Sequence, residues 1–278
     1  RPDDELLLIP IADGGEGTVD ALVKAAGGWI EHETVTGPLG APVRAQYGVL
    51  STGPTAVVEM AAASGLALVP AEERNPLAAT SRGTGELLLA ASCVKDVAKI
   101  VIGIGGSATN DGGAGFAQAL GYRLLDEAGN DLPPGGAALA ALAKIEAPEV
   151  PLNLPELVVA CDVNNPLCGP HGASAIYGPQ KGATPGQVAQ LDAALAHYAD
   201  VAEAFVGQTF RLAPGAGAAG GMGFALMAFA GATLRPGIAI VAELTRLEEQ
   251  LATCDLVITG EGRADAQSLM GKAVGGVL

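Results

Sequence analysis

KIVIGIGGSATNDGGAG, residues 99–115, runs from a β-branched strand straight into a loop of glycines, hydroxyls and one carboxylate, and its reading decides the fold. Ile100, Val101 and Ile102 suit a strand buried in a sheet, and the glycines behind them free the backbone to turn sharply. The expected product is a nest of main-chain N–H groups. Gly103, Gly105 and Gly106 let amides approach an anion, Ser107 and Thr109 add hydroxyl donors, and a helix beginning near Gly112 adds a favourable dipole. A tight connection that binds nothing is the competing reading. The density of polar groups favours a phosphate or carboxylate site.

Composition narrows the possibilities around that loop. The 278 residues suffice for one large or two ordinary domains, and 49% hydrophobic against 16% charged residues leaves ample core material. A net charge of −15 opposes nucleic acid and anionic membranes as partners, so an anionic substrate needs locally placed Lys, Arg or a metal. Cys93, Cys161, Cys168 and Cys254 form no CxxC pair, and His32, His171 and His197 have no metal-ligand spacing. A reduced, cytoplasmic protein without structural zinc is expected. Residues 212–234 carry no charge, but Pro214 and the glycines at 215–223 leave only 224–234 continuously apolar, too short for a membrane span. No leader precedes the first apolar run, and the sequence opens on Arg1 and stops at Leu278 in a helix-like GKAVGGVL, so both ends read as cut.

Outward from the loop, carboxylates recur where strands end. A strand at 6–10 leads into IADGGEG at 11–17, with Asp13 and Glu16 where an α/β sheet usually holds its ligands. The helix from Thr18 turns Val19, Leu22, Val23 and Ala26 to one side and ends at Gly27 and Gly28. From Trp29 to Met60 the pattern alternates, giving three strands at 29–35, 43–50 and 56–60 joined by Gly-Pro turns. TSRGTG at 80–85 opens another helix and makes Arg82 a candidate carboxylate binder. Further strands are expected at 122–125 and 157–160, the second ending in Cys161 and Asp162. GPQKGA at 178–183 brings Lys181 to the entry of a helix capped by Thr184, Pro185 and Gln187. That helix runs to about Val206 with Val188, Leu191, Leu195, Tyr198, Ala202 and Phe205 on one face and His197 on the other, exposed side. Val241, Leu244, Leu247 and Leu251 mark one more helix, before a strand at 256–258 and the loop TGEGRADAQS with Glu261 and Asp265. The texture changes at Trp29 and returns to βα near Pro236. Two domains follow: residues 28–235 are inserted into one built from 1–27 and 236–278.

Two nucleotide motifs compete for the central loop. No Walker A sequence exists, since Gly271 and Lys272 are followed by Ala273 and lack the upstream Gly. Gly103, Gly105 and Ala108 satisfy GxGxxA after a strand, with Asp126 at about the expected distance, which keeps a dinucleotide-binding oxidoreductase as an alternative. Asn110, Gly112 and Gly113 stand against it, because they fall where that motif needs apolar helix turns.

Six stretches in register carry more information than either motif. IADGGEGT at 11–18, GIGGSATNDGG at 103–113, DVNNPL at 162–167, GPQKGA at 178–183, GAGAAGG at 215–221 and DLVITGEGRADAQSLMGK at 255–272 resemble the glycerate kinase family in order and spacing. The resemblance covers essentially the whole chain. It implies two α/β domains, one flavodoxin-like with the other inserted into it, and transfer of the γ-phosphoryl of ATP to D-glycerate, commonly at the 2-hydroxyl, with Mg²⁺. It also implies that the family's opening strand, a Ser-Phe-Lys-Gly loop and the last elements lie outside this sequence. Arg82 stands where an aromatic residue is common, and Tyr177 where Phe is common.

On that resemblance, phosphate sits on Gly105, Gly106 and Ser107, with nucleotide contacts extending to Thr109, Asn110, Gly217 and Gly220. Lys181 faces the transferring group, Mg²⁺ lies near Asp111 or Asp162, and Asp13, Glu16, Asp162, Glu261 and Asp265 surround glycerate and its proton acceptor. The residues do not decide which carboxylate takes which task. These are the parts phosphoryl transfer asks for: a backbone cradle, a cation, a carboxylate-held metal and a base. A nucleotide-binding protein without turnover is a third reading.

Overall fold

The computed structural model describes residues 6–12 and 14–260. α1 (Thr18–Ala26) buries Val19, Leu22 and Ala26, the stripe their helical spacing dictates, and stops at Gly27 with φ 72°. β1 (Gly28–Thr36), β2 (Pro42–Leu50) and β3 (Thr55–Glu59) make an antiparallel meander. α2 (Met60–Ser64) and α3 (Arg82–Ser92) lead to β4 (Lys99–Gly103), which lies parallel to β3. After α4 (Ala114–Ala119), β5 (Arg123–Leu125) and β6 (Lys144–Glu146) pair as a separate two-stranded sheet. β7 (Glu156–Ala160) returns to the main sheet parallel to β4. α5 (Ala173–Tyr177), α6 (Pro185–Val206) and α7 (Ala218–Ala230) come before β8 (Thr233–Arg235), parallel to β7. α8 (Gly237–Thr245) and α9 (Leu247–Leu251) are the last described helices. The main sheet is six-stranded in the order β1-β2-β3-β4-β7-β8.

Period-two alternation sorts the strand residues between two helical layers. Val57 packs with Val19, Leu22 and Val241 of α1 and α8, while Val101 and Val158 pack with Ile240. Ala56, Val58, Ile100, Ile102 and Val159 face the opposite way, into the large core with Leu87, Leu88, Phe116, Tyr198 and Phe224. The architecture is a mixed α/β sandwich of helix, sheet and helix.

The capping box is present: Thr184 Oγ1 accepts from Gln187 N at 3.4 Å and Gln187 Oε1 from Thr184 N at 2.8 Å. Thr184→Ala is expected to lower stability by about 1 kcal/mol in urea unfolding and to leave turnover unchanged.

Four expectations are corrected. Residues 6–10 and 256–258 form no strand, and Leu6, Leu8, Leu256 and Ile258 are at least 77% exposed. An apolar run becomes a strand only beside a partner, and no described strand lies next to either segment. The helix after the glycine loop starts at Ala114, because Gly112 and Gly113 take φ 63° and 73°. The helix expected across 241–251 is two, broken where Arg246 takes φ 51°. Among the described residues, no helix is long and apolar enough to cross a membrane.

Candidate active site

The loop after β4 opens at the carboxyl ends of β4 and β7, the position where parallel sheets hold ligands. A cleft of about 360 Å³ lies there. Gly105, Gly106 and Ser107 form one wall and Gln180 and Lys181 another, with Gly15, Asp162, Tyr177, Ala218 and Ala219 completing the lining. The glycines divide into two kinds. A Cβ on Gly103 would meet Gly14 O at 2.4 Å and one on Gly105 would meet Gly15 Cα at 2.9 Å, so both are small because the 14–15 backbone crosses them. Gly105 N donates to Gly14 O at 3.2 Å. Among the described residues, the amides of Gly106 and Ser107 on the cleft wall have no backbone acceptor, unlike that of Gly105. Leu66 N on Gly106 O at 2.7 Å and Ala108 N on Ser64 O at 2.9 Å clamp this loop from the side of α2.

Lys181 is 1% exposed. Its Nζ donates to Ser107 Oγ at 2.8 Å and to Thr109 O at 2.6 Å, tying the 178–183 turn to the cradle. Burial pulls its ammonium down to about 7 from 10.5, with the nearby Asp111 carboxylate pulling the other way.

Asp111 sits behind the cradle, not in the cleft. It is 1% exposed; Oδ2 accepts from Ser81 N and Ser81 Oγ at 2.8 Å each and from Gly115 N at 3.2 Å, and Oδ1 accepts from Gly113 N at 3.2 Å. Burial pushes its carboxyl up, against those hydrogen bonds. Thr109 and Asn110 are buried too: Asn110 Nδ2 donates to Ser174 Oγ at 2.9 Å, while Thr109 Oγ1 and Asn110 Oδ1 have no partner among the described residues. Gly217 and Gly220 sit one step back from the cleft. A Cβ on Gly217 would lie 2.1 Å from Pro166 O, and one on Gly220, φ 74°, 2.0 Å from Thr109 O. Gly220 O accepts from Gly112 N at 2.9 Å, locking the left-handed turn at 219–221 to the cradle.

Asp162 stands on the cleft wall, its Oδ1 accepting from Gly237 N at 2.8 Å. Glu16 Oε1 lies 3.5 Å from where a Cβ on Gly106 would be, so its carboxylate borders the cradle from the far side. Arg82, read as a candidate carboxylate binder, pairs with Glu86 at 2.9 Å instead. Asp13, Glu261 and Asp265 lie outside the described residues.

Glu59 and Ser81 went unread in the sequence. Glu59 ends β3 and accepts from Gly17 N at 3.2 Å and from Val19 N, holding the start of α1 and the loop with Glu16. Its signal was a lone carboxylate closing the apolar run AVVEM at 56–60. Ser81 acts through Asp111, thirty positions away, with nothing local to announce it.

The dinucleotide reading does not hold. GxGxxA needs a helix opening at its glycines, whereas α4 begins at Ala114. Asp126 follows β5, outside the main sheet, and its side chain accepts from Asn130 N at 2.9 Å within a turn.

An open α/β sheet with a glycine-rich loop and a buried lysine beyond its parallel strands is compatible with an enzyme of the phosphoryl-transfer type. The glycerate kinase family model matches residues 1–278, and the chain belongs to that family of kinases. It is 54% identical over 278 residues to the glycerate kinase of Bacillus subtilis (strain 168), covering 99% of this chain and 72% of that protein. It is also 54% identical to the glycerate 2-kinase of Escherichia coli (strain K12), covering 99% and 73%. A crystal structure described as a candidate glycerate kinase 2 from Salmonella typhimurium LT2 is similar at TM-score 0.91 and 53% identity, covering 99% of this chain and 74% of that one.

Proposed function

We propose that the protein transfers the γ-phosphoryl group of ATP to D-glycerate, at the 2-hydroxyl, in the cytoplasm. The observation that carries this is the buried Lys181 ammonium joined to Ser107 and Thr109 on the loop that presents the Gly106 and Ser107 amides. Phosphoryl transfer needs positioning and charge neutralisation more than covalent help, and a fixed cation beside fixed N–H groups supplies both in a partly dry cleft.

Gly106 and Ser107 hold phosphate oxygens through their amides, and Gly105 gives the loop its shape. Thr109, Asn110, Gly217 and Gly220 support the walls from behind. Lys181 faces the transferring oxygens. Glu16, beside Gly106, accepts the proton of the attacking hydroxyl, a role for which Asp13, Glu261 and Asp265 are the other candidates. Among the described residues, no group of three or more His, Cys, Asp or Glu side chains could hold a metal ion by itself. Mg²⁺ keeps several waters and takes one or two carboxylates together with substrate phosphates, and Asp162 on the cleft wall is an oxygen donor of that kind. Asp111 is not, since both its oxygens are engaged inside the protein. Bound there, Mg²⁺ neutralises charge on the phosphate oxygens.

Incubation of the intact protein with ATP, Mg²⁺ and D-glycerate, followed by phosphorus NMR, tests the reading. 2-Phosphoglycerate is the expected product. The 3-phosphate would overturn the regiochemistry, and ATP consumption with another hydroxy acid but not with glycerate would overturn the substrate.

A further inference from the structure

A second depression of about 390 Å³ lies beside Glu16, whose Oε1 is 3.5 Å from where a Cβ on Gly106 of the cleft would be. It is lined by His32, Arg44 and Gln46 on the β1–β2 face, by Ala61 and Ala62 of α2, and by Glu16 and Glu59 at its inner edge. Resting on the proposed function above, we infer that this shelf seats the carboxylate of the hydroxy acid, with Arg44 as its cation.

Three observations carry the inference. The first is charge. Arg82, Arg123, Arg211, Arg235 and Arg246 each have a carboxylate within ion-pair distance, and Arg74 donates to Gln180 O, whereas Arg44 has neither an ion pair nor a hydrogen bond among the described residues. In a chain of net charge −15 a guanidinium facing a depression without an internal carboxylate partner is set apart from its kind. The second is register. His32 lies opposite Gln46 in the β1–β2 ladder, and Gln46 is two residues from Arg44, so all three point from one face of the sheet. Gln46 is held in place by its bond to Asp20 Oδ2 at 3.1 Å.

The third is placement. Glu16 and Ala61 line the shelf, and Glu16 Oε1 and Ala61 Cβ lie 3.5 and 3.3 Å from where a Cβ on Gly106, a residue of the cleft wall, would be, so shelf and cradle share one partition. An acid whose carboxylate lies on Arg44 thus points its hydroxyl end at Glu16 and the cradle, where the transferring phosphoryl sits. Glu59, the other carboxylate at the shelf, is 5% exposed and directed at the N–H groups of Gly17 and Val19, so it leaves Arg44 to the substrate. Arg44 is a specificity-determining residue on this reading: it selects acids over neutral polyols.

The test compares the intact wild-type protein with Arg44→Met and Arg44→Lys, using ATP and either D-glycerate or glycerol. Arg44→Met is expected to raise the KM for glycerate by about tenfold to a hundredfold, the worth of one charged hydrogen-bonding partner. Its kcat, its KM for ATP and its melting temperature stay within error, Arg44→Lys falls between, and the preference for glycerate over glycerol in kcat/KM drops about tenfold or more. An unchanged glycerate KM in an active protein overturns the inference, and so does a rise in the KM for ATP alone, which would give the shelf to the donor. If wild type phosphorylates a different acid, the substrate reading fails by itself, and the same comparison with that acid decides Arg44. A wild type that phosphorylates no acid overturns both.

Discussion

On the proposed role of Lys181, Lys181→Met is expected to reduce phosphoryl transfer by about a hundredfold or more, because a cation fixed against the transferring oxygens is worth several kcal/mol. The effect should fall on kcat, with the fold kept. A pH signature reports the burial of this ammonium separately from its effect on turnover. In the folded protein the ammonium is pulled down to about 7, against 10.5 for an exposed lysine. Between those two values the unfolded chain carries a proton on Lys181 that the folded chain has lost, and stability rises with pH wherever the unfolded state binds more protons. The stability of wild type relative to Lys181→Met should therefore be flat below about 7 and rise between there and 10.5. Urea midpoints of the two proteins measured from pH 6 to 10 check this, since other titrating groups cancel in the difference. A difference that does not change with pH would mean that the side chain titrates like an exposed lysine.

Asp111→Ala is expected to destabilise the protein by about 3–5 kcal/mol, the cost of removing one side of a buried, fully hydrogen-bonded charge. Ser81 N, Ser81 Oγ, Gly113 N and Gly115 N would all lose their acceptor together. Ser81 Oγ also accepts from Phe116 N at 3.0 Å, so Ser81→Ala should reproduce part of the loss. Guanidinium unfolding of the ligand-free protein measures both. If Asp111 held metal instead, its variant would keep the wild-type midpoint and lose the dependence of activity on Mg²⁺ concentration.

The contrast between these residues shows what the sequence could convey. GPQKGA at 178–183 placed Lys181 at a helix entry, but its burial was not legible, since the atoms that enclose it come from residues 107–109. Asp111 read as a metal ligand because a carboxylate in a glycine-rich loop looks alike whether it points out or in. Its direction is set by Ser81, which no local pattern connects to it. The elements whose stability is local, α1 with its apolar stripe and α6 with its capping box, appear within a residue of where periodicity puts them. The apolar runs at 6–10 and 256–258 failed as strands for the opposite reason, since a ladder is a property of two segments and the sequence shows one at a time. Gly105 lines the cleft, and its missing side chain also makes room for the 14–15 backbone, which no local pattern announces.

The strand order also has a consequence for biosynthesis. β1, β2 and β3 are joined by short turns and can pair as soon as they emerge from the ribosome, and β4 can join β3, whereas β7 follows its partner β4 by more than fifty residues and β8 follows β7 by more than seventy. Pairing over such separations is slow, because the chain entropy of closing each long connection comes before any contact rewards it. A nascent chain that has reached residue 150 already carries the cradle but has neither Lys181 nor the 218–221 turn to wall it in. The walls of the cleft are thus complete only once the final third of the described chain has docked, and a chain that stops near residue 150 holds the glycine-rich loop without them.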